Sequence, residues 1–260
     1  MNIVSGCDIG SLTSKAVILK NNRIIGSARI KSIANPVESA NIVIKKALDI
    51  AGLNKNDISY CVGTGYGREL IEGVSDTMTE IACHAKGAKW LLPSVKTVID
   101  IGGQDCKVIK IDQNGNVTKF LTNDKCASGT GRFLEVMAKL LDLKLDDIGK
   151  MSKKASSPII FASTCTVWAQ ADVIKHINDG KQVPDIAAGI NNAMANRVAM
   201  LVRSISPVKD IAMTGGVAKN DGVVNAIEKM IGMKIKKIKK ADPQLAGAIG
   251  AALFADSLQK

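Results

Sequence analysis

The sequence predicts an α/β protein made of two related halves, and three observations carry that prediction. The segment GCDIGSLTSKAVIL near the N-terminus returns in pattern as VIDIGGQDCKVIKI: an apolar strand ending in Asp-Ile-Gly, a turn, and a second strand. Strand-like and helix-like periodicities follow one another along the chain. The composition, 46% hydrophobic and 23% charged with 23 glycines among 260 residues, suits many tight strand-to-helix turns and excludes a disordered or fibrous chain.

In order, NIVSGCDIG, SKAVILK and RIIGSARIK alternate like three paired strands, with turns at Gly10-Ser11 and Asn21-Asn22. Apolar residues at helical spacing cover Val37 to Ala51 and stop at Gly52, and DISYCVGTG follows as a strand entering a glycine turn. A second helix is expected over Thr77 to Leu92, ended by Pro93. TVIDIGGQDCKVIKIDQNGNVTKFL then reads as strand, Gly-Gly turn, strand, Asn-Gly hairpin and strand. Helices are expected over Gly129–Leu141, Val167–Asp179 and Pro184–Ile205. A strand DIAMTGG and helices over Val217–Ile231 and Pro243–Gln259 complete the chain. The expected division is a first half of residues 1–68 with 241–260, and a second half of residues 69–240.

The net charge of +11 does not point to nucleic acid, because the lysines are spread out. The densest run, KIKKIKK from Lys234 to Lys240, alternates like an exposed edge strand whose lysines discourage pairing. An anionic ligand or an acidic partner accounts for the charge equally well. No apolar run reaches the ~18 residues of a membrane span, and Met1 to Ile9 lacks a signal peptide's pattern, so a cytoplasmic location without membrane contact is expected. The six cysteines at 7, 61, 83, 106, 126 and 165 share no short spacing, which argues against a disulfide framework and leaves thiol or metal chemistry open.

The repeated turns carry the chemistry. An aspartate at a strand end followed by a glycine turn offers a carboxylate for Mg²⁺ and backbone N–H groups for phosphate. Asp8-Ile9-Gly10-Ser11 and Asp100-Ile101-Gly102-Gly103 form such a pair, able to hold both ends of a phosphate chain across a cleft. Lys15 can reach a β- or γ-phosphate, though a lysine starting a strand is as often merely solvated. Gln104 and Asp105 can position a water for attack. The third turn, MTGGVAKN from Met213 to Asn220, ends a strand and opens a helix, where a nucleotide can lie. Neither a Walker A loop nor a dinucleotide fingerprint is present. In the last helix, PQLAGAIGAALFAD spaces Gly and Ala for close packing.

With those loops placed, the chain resembles the acetate kinase, sugar kinase, Hsp70 and actin superfamily, whose two ribonuclease H-like halves enclose a nucleotide cleft in an actin-like ATPase fold. TGYGR (Thr64 to Arg68), ACHAKGA, DIGGQD, NDKCASGTGRFLE, STCTVWAQ and MTGGVAKN narrow the match. Over nearly the whole chain they resemble the activator ATPases of (R)-2-hydroxyacyl-CoA dehydratases, a family shared with benzoyl-CoA reductase ATPase subunits.

The resemblance implies ATP or ADP with Mg²⁺, bound by Gly10, Ser11, Thr13 and Lys15, by Gly102 and Gly103, and by Gly215, Gly216, Asn220 and Gln244. Asp8, Asp100 and Gln104 would serve hydrolysis, and Gly129, Thr130 and Gly131 would sense phosphate. It further implies a homodimer sharing one [4Fe-4S] cluster held by Cys126 and Cys165 of each subunit. Such a dimer takes electrons from a donor such as ferredoxin or flavodoxin and passes one to an iron-sulfur acyl-CoA dehydratase or reductase. A twofold axis explains how two cysteines per chain become the four ligands such a cluster usually takes. The family usually has Phe-Ala-Glu-Ser-Glu where this chain reads Trp168-Ala169-Gln170-Ala171-Asp172, which bears on the docking surface. Cys7, Cys61 and Cys106 read as structural, and Glu80 with His84 as a packed helix face. A small-molecule kinase with Asp100 as general base, or a chaperone-like nucleotide-dependent binder, are rivals on the same fold. The kinase needs a substrate cleft and leaves Cys126 and Cys165 unexplained, and the binder would need a substrate domain.

Overall fold

Asn21 and Asn22 both take the left-handed backbone conformation (φ 50° and 59°) that a two-residue hairpin demands, and they set the register of the first strands. The computed structural model describes residues 2–71, 73–161 and 165–259. The chain divides into two compact units, one of Met1–Val95, Ile111–Thr118 and Ile238–Lys260, the other of Lys96–Lys110 and Lys119–Lys237.

The first unit holds β1 (Ile3–Ile9), β2 (Thr13–Lys20), β3 (Arg23–Lys31), β4 (Tyr60–Thr64) and β5 (Asp76–Thr77) in the sheet order β3-β2-β1-β4-β5. Strand β1 runs antiparallel to β2 and parallel to β4. Helix α1 (Pro36–Ala51) starts where the Asn35 side chain accepts hydrogen bonds from the Val37 and Glu38 amides, and it stops at Gly52, left-handed at φ 66°. It covers one core with Ala40, Val43, Ala47 and Leu48 against Cys7 and Ile18. A second core joins Val4, Val17 and Leu19 to Cys83 and Leu91 of α2 (Glu80–Leu91) and to the alanines of α8 (Ala246–Leu258).

Helices α2 and α8 meet backbone to backbone. A Cβ on Gly87 would land on the Ala246 carbonyl, and one on Gly250 on the Cys83 carbonyl. The small residues of the final helix serve this crossing, and the crossing draws α2 into the first unit. Residues 69–95, and with them 111–118 and 238–240, group with the first unit, where the sequence placed them in the second half.

The second sheet, which apart from Ile111, Val117 and Thr118 belongs to the second unit, repeats the plan with β6 (Thr97–Ile101), β7 (Cys106–Ile111), β8 (Val117–Asn123), β9 (Ile211–Thr214) and β10 (Ile235–Lys236), in the order β10-β9-β6-β7-β8. Its core packs Ile99, Ile101 and Val108 against Phe133 and Met137 of α3 (Gly131–Leu140) and Ile190, Met194 and Val198 of α6 (Val183–Ser204). Helices α4 (Leu145–Ser152), α5 (Thr166–Asn178) and α7 (Asp221–Ile231) complete it.

Three sequence expectations shift. The second helix starts at Glu80, because Thr79 caps it and Asp76–Thr77 pairs with β4. The lysine-rich run is strand only over Ile235–Lys236, at the sheet edge. Helix α4 was not expected. Among the described residues, no helix is long and apolar enough to cross a membrane.

Candidate functional site

Asp8, near the end of β1, has Lys15 of β2 opposite it and Thr64 of β4 beside it in register. The Lys15 ammonium lies 3.0 Å from Asp8 Oδ2. Asp8 Oδ1 is buried and, among the described residues, accepts no hydrogen bond. A carboxylate oxygen left so is costly unless a cation or its water completes it, and this one fits Mg²⁺ chemistry. Glycines keep the space around it open. A Cβ on Gly65 (φ 92°) would sit 2.7 Å from Oδ1, and one on Gly247 would sit 2.7 Å from Oδ2 and 2.9 Å from His84 Nε2. His84, buried and 3.8 Å from Glu80, therefore faces the same glycine as Asp8. The sequence showed the Glu80-His84 helix spacing but not this neighbour, because Gly247 is more than 160 residues away in the chain.

The first loop is tightly braced: the Gly10 amide donates to the Thr13 carbonyl at 3.2 Å, and the Ser32 hydroxyl donates to the Gly10 carbonyl at 2.7 Å. Ser11 and Thr13 are half-buried beside it.

The second unit repeats this arrangement. Asp100 has Lys107 opposite it and Thr214 beside it in register. The Thr214 hydroxyl donates to Asp100 Oδ1 at 2.7 Å. Lys107 is buried, hydrogen-bonded to Asp105 and 3.9 Å from Asp100. Asp105 is thus held by an ammonium rather than poised over a water, and Gln104 is the exposed residue of the turn. Sequence reasoning missed Lys107, although Asp-Ile-Gly-x4-Lys stands in both halves.

Gly215 matches Gly65. Its φ of 82° with ψ 179° suits only glycine, and a Cβ there would land on the Ile101 carbonyl and 3.1 Å from Asp100 Oδ1. Gly216 opens a 3-10 turn that leads to Asn220, whose side chain accepts from the Gly222 and Val223 amides to cap α7 and donates to Asn191 at 3.3 Å. Its side chain is committed to these structural bonds. Gln244 lies in the first unit, where its side chain accepts from Arg29.

The cysteines separate by burial. Cys7, Cys61, Cys83 and Cys106 are buried, and burial pushes the Cys83 thiol up to about 12 and the other three upward as well. Cys126 is half-buried at the start of a 3-10 turn (Ala127–Gly129), and Cys165 is exposed at the start of α5. The Ser128 hydroxyl, 3.0 Å from Cys126 Sγ, holds that thiol below its ordinary range, with the Ser128 amide and the Arg197 charge adding to it. Two accessible thiols in one unit are half the thiolate set of an iron-sulfur cluster, so the residues present fit that group. Trp168 and Val167, next to Cys165, are also exposed. Ser163 and Thr164 of STCTVWAQ lie outside the described residues.

The Gly102-Gly103 turn is bonded directly to the helix that follows Cys126. The Gly131 amide donates to the Gly102 carbonyl at 2.8 Å and the Arg132 amide to the Gly103 carbonyl at 2.9 Å, while the Thr130 amide donates to the Ala127 carbonyl at 3.0 Å. The amides of Thr130 and Gly131 are thereby occupied, so the segment is tied to the loop by its backbone.

The chain is 43% identical over 250 residues to the 2-hydroxyisocaproyl-CoA dehydratase activator of Clostridioides difficile, covering 96% of this chain and 93% of that one. It is 44% identical over 251 residues to the (R)-2-hydroxyglutaryl-CoA dehydratase activating ATPase of Acidaminococcus fermentans, covering 96% and 95%. The solved structure of the activator of the 2-hydroxyisocaproyl-CoA dehydratase from Clostridium difficile with bound ADPNP superposes with a TM-score of 0.94 at 42% identity over 99% of this chain and 95% of that one. A ROK family glucokinase from Streptomyces griseus shares the fold, with a TM-score of 0.60 at 14% identity over 98% of this chain and 100% of that one. The two mixed sheets with their helices form the actin-like ATPase fold. The BadF/BadG/BcrA/BcrD ATPase profile matches residues 5–255, and the chain belongs to that family.

Proposed function

We propose that this protein is an ATP-hydrolysing activator that delivers a low-potential electron to a partner 2-hydroxyacyl-CoA dehydratase or a related iron-sulfur reductase. The observation that carries this reading is the backbone tie between Gly102-Gly103 and Gly131-Arg132, five residues past an accessible thiol. The identity of 43–44% to named dehydratase activators supports it, and favours it over the kinase that the fold alone would allow.

Mg²⁺ and ATP would be held by Asp8, Gly10, Ser11, Thr13 and Lys15 of the first unit and by Asp100, Gly102, Gly103 and Gln104 of the second. Adenosine would lie at Gly215 and Gly216, with Gln244 contributed by the first unit. Asp8 Oδ1 would accept a hydrogen bond from a Mg²⁺-bound water or bind the ion itself. Any change in the Gly102-Gly103 loop on hydrolysis must displace or break two hydrogen bonds to α3, and the turn carrying Cys126 precedes that helix. ATP biases this element only by its difference in affinity for the two arrangements.

Cys126 and Cys165 of two identical subunits would hold one shared [4Fe-4S] cluster, with the homodimer axis at the site. When bound, that group supplies a one-electron carrier of low potential. Ferredoxin or flavodoxin would reload it, and the cytoplasm would be its location.

Iron and sulfide analysis of anaerobically purified protein tests the reading. About four irons per dimer are expected, with loss of the cluster's visible absorbance in Cys126→Ala and in Cys165→Ala. Full absorbance in either variant sinks the assignment.

A further inference from the structure

Ser128 is 1% exposed, and its hydroxyl lies 3.0 Å from Cys126 Sγ. The 3-10 turn Ala127–Gly129 fixes it there, and the Asn123 side chain donates to the Cys126 carbonyl at 2.9 Å to hold the same backbone. Behind the turn stands Arg197 of α6, whose Cγ would be 3.3 Å from a Cβ on Gly129. In a thiol either partner can donate, but a metal-bound thiolate carries no proton, so the serine becomes the donor. A hydrogen bond to a ligand sulfur stabilises the more negative, reduced state of an iron-sulfur centre.

We propose that Ser128 is a positioning residue that sets the reduction potential of the iron-sulfur centre by donating its buried hydroxyl to the Cys126 thiolate. This inference rests on the proposed function. No electron or proton passes through Ser128. Its hydroxyl keeps its hydrogen and only changes how readily the centre accepts one electron from the ferredoxin or flavodoxin type of donor.

Ser128→Ala and Ser128→Thr, purified without oxygen beside the wild type, test it by iron content and by an electron paramagnetic resonance redox titration without ATP. Ser128→Ala is expected to bind iron as the wild type does and to titrate at a lower midpoint. At a fixed solution potential its ratio of reduced to oxidised centre should fall about threefold to tenfold, roughly 28 to 59 mV for one electron. Ser128→Thr, which keeps the donor, should titrate near the wild type. An unchanged midpoint in Ser128→Ala, or an equal drop in Ser128→Thr, overturns the inference and leaves the activator reading standing. Loss of iron from Ser128→Ala alone would make Ser128 a support for assembly and overturn the tuning role. Wild-type protein without iron would remove the activator reading and this inference together.

Discussion

Lys107 stands opposite Asp100 in the register of β6 and β7, as Lys15 stands opposite Asp8 in β1 and β2. The two pairs are used differently. Lys15 bonds Asp8 directly and keeps 12% of its side chain in solvent, whereas Lys107 is buried between Asp105 and Asp100. The first pair therefore has a lysine that can turn toward an incoming phosphate, and the second is a fixed internal charge.

That difference separates two variants. Lys107→Met takes a buried ammonium away from two buried carboxylates, and removing one member of such a group costs about 3–5 kcal/mol. Lys15→Met leaves only Asp8, beside a partly solvated position, and should unfold in urea at a concentration much nearer the wild type. Its ATP hydrolysis should nevertheless fall by at least about tenfold, since a charge placed on a transferring phosphate commonly contributes that much or more. Equal destabilisation of the two variants would contradict the assigned roles.

Gly215 and Gly232 differ in both backbone conformation and crowding. Gly232 is left-handed (φ 68°, ψ 22°) and a Cβ there meets nothing within 4 Å, whereas Gly215 (φ 82°, ψ 179°) lies in a region almost exclusive to glycine and a Cβ there strikes the Ile101 carbonyl. Gly232→Ala should cost about 1–2 kcal/mol, the ordinary penalty of that conformation. Gly215→Ala should cost distinctly more in urea unfolding and should weaken binding of a non-hydrolysable ATP analogue in the fraction that folds. Normal nucleotide affinity in Gly215→Ala would remove that turn from the nucleotide site.

Thiol alkylation of iron-free protein should count the accessible cysteines. At neutral pH Cys126 and Cys165 should react within minutes, giving two labels per chain by mass spectrometry. Cys7, Cys61, Cys83 and Cys106 are shielded and hold their protons more tightly than an ordinary thiol, so they should react only after denaturation. Rapid labelling of Cys83 or Cys106 would show that these cores open readily.

Much of this organisation is written locally in the chain. Asp-Ile-Gly-x4-Lys appears in both halves, and its Asp and Lys become cross-strand partners because a short turn fixes the register. Asn35, Gly52 and Asn21-Asn22 mark their helix ends and hairpin by their own chemistry. What was not legible depends on distant partners. Helix α2 joins the first unit because Gly87 and Gly250 let it touch α8, and His84 meets Asp8 only at Gly247. Helix α4 offers only eight residues of pattern, too short a stretch for periodicity to declare it. Ser128 beside Cys126 is plain in the sequence, but whether its hydroxyl points at the sulfur is set by the 3-10 turn.

Asp185 braces the segment from Ser156 to Ile159 against α6. Buried in the first turn of α6, it accepts the Ser156 amide at 2.9 Å and the Ser157 amide at 2.7 Å through Oδ1, and its carbonyl takes the Ile159 amide at 3.0 Å. Asp185→Ala keeps the carbonyl bond and deletes the two carboxylate bonds. Hydrogen bonds to a charged group contribute about 1.5–3 kcal/mol each. Exchange of the Ser156 and Ser157 amides should therefore quicken by at least about tenfold in mass spectrometry, while the amides of β6 at the centre of the sheet stay protected. Unchanged exchange at Ser156 and Ser157 would mean that the Ile159 bond and its packing hold the segment without the carboxylate.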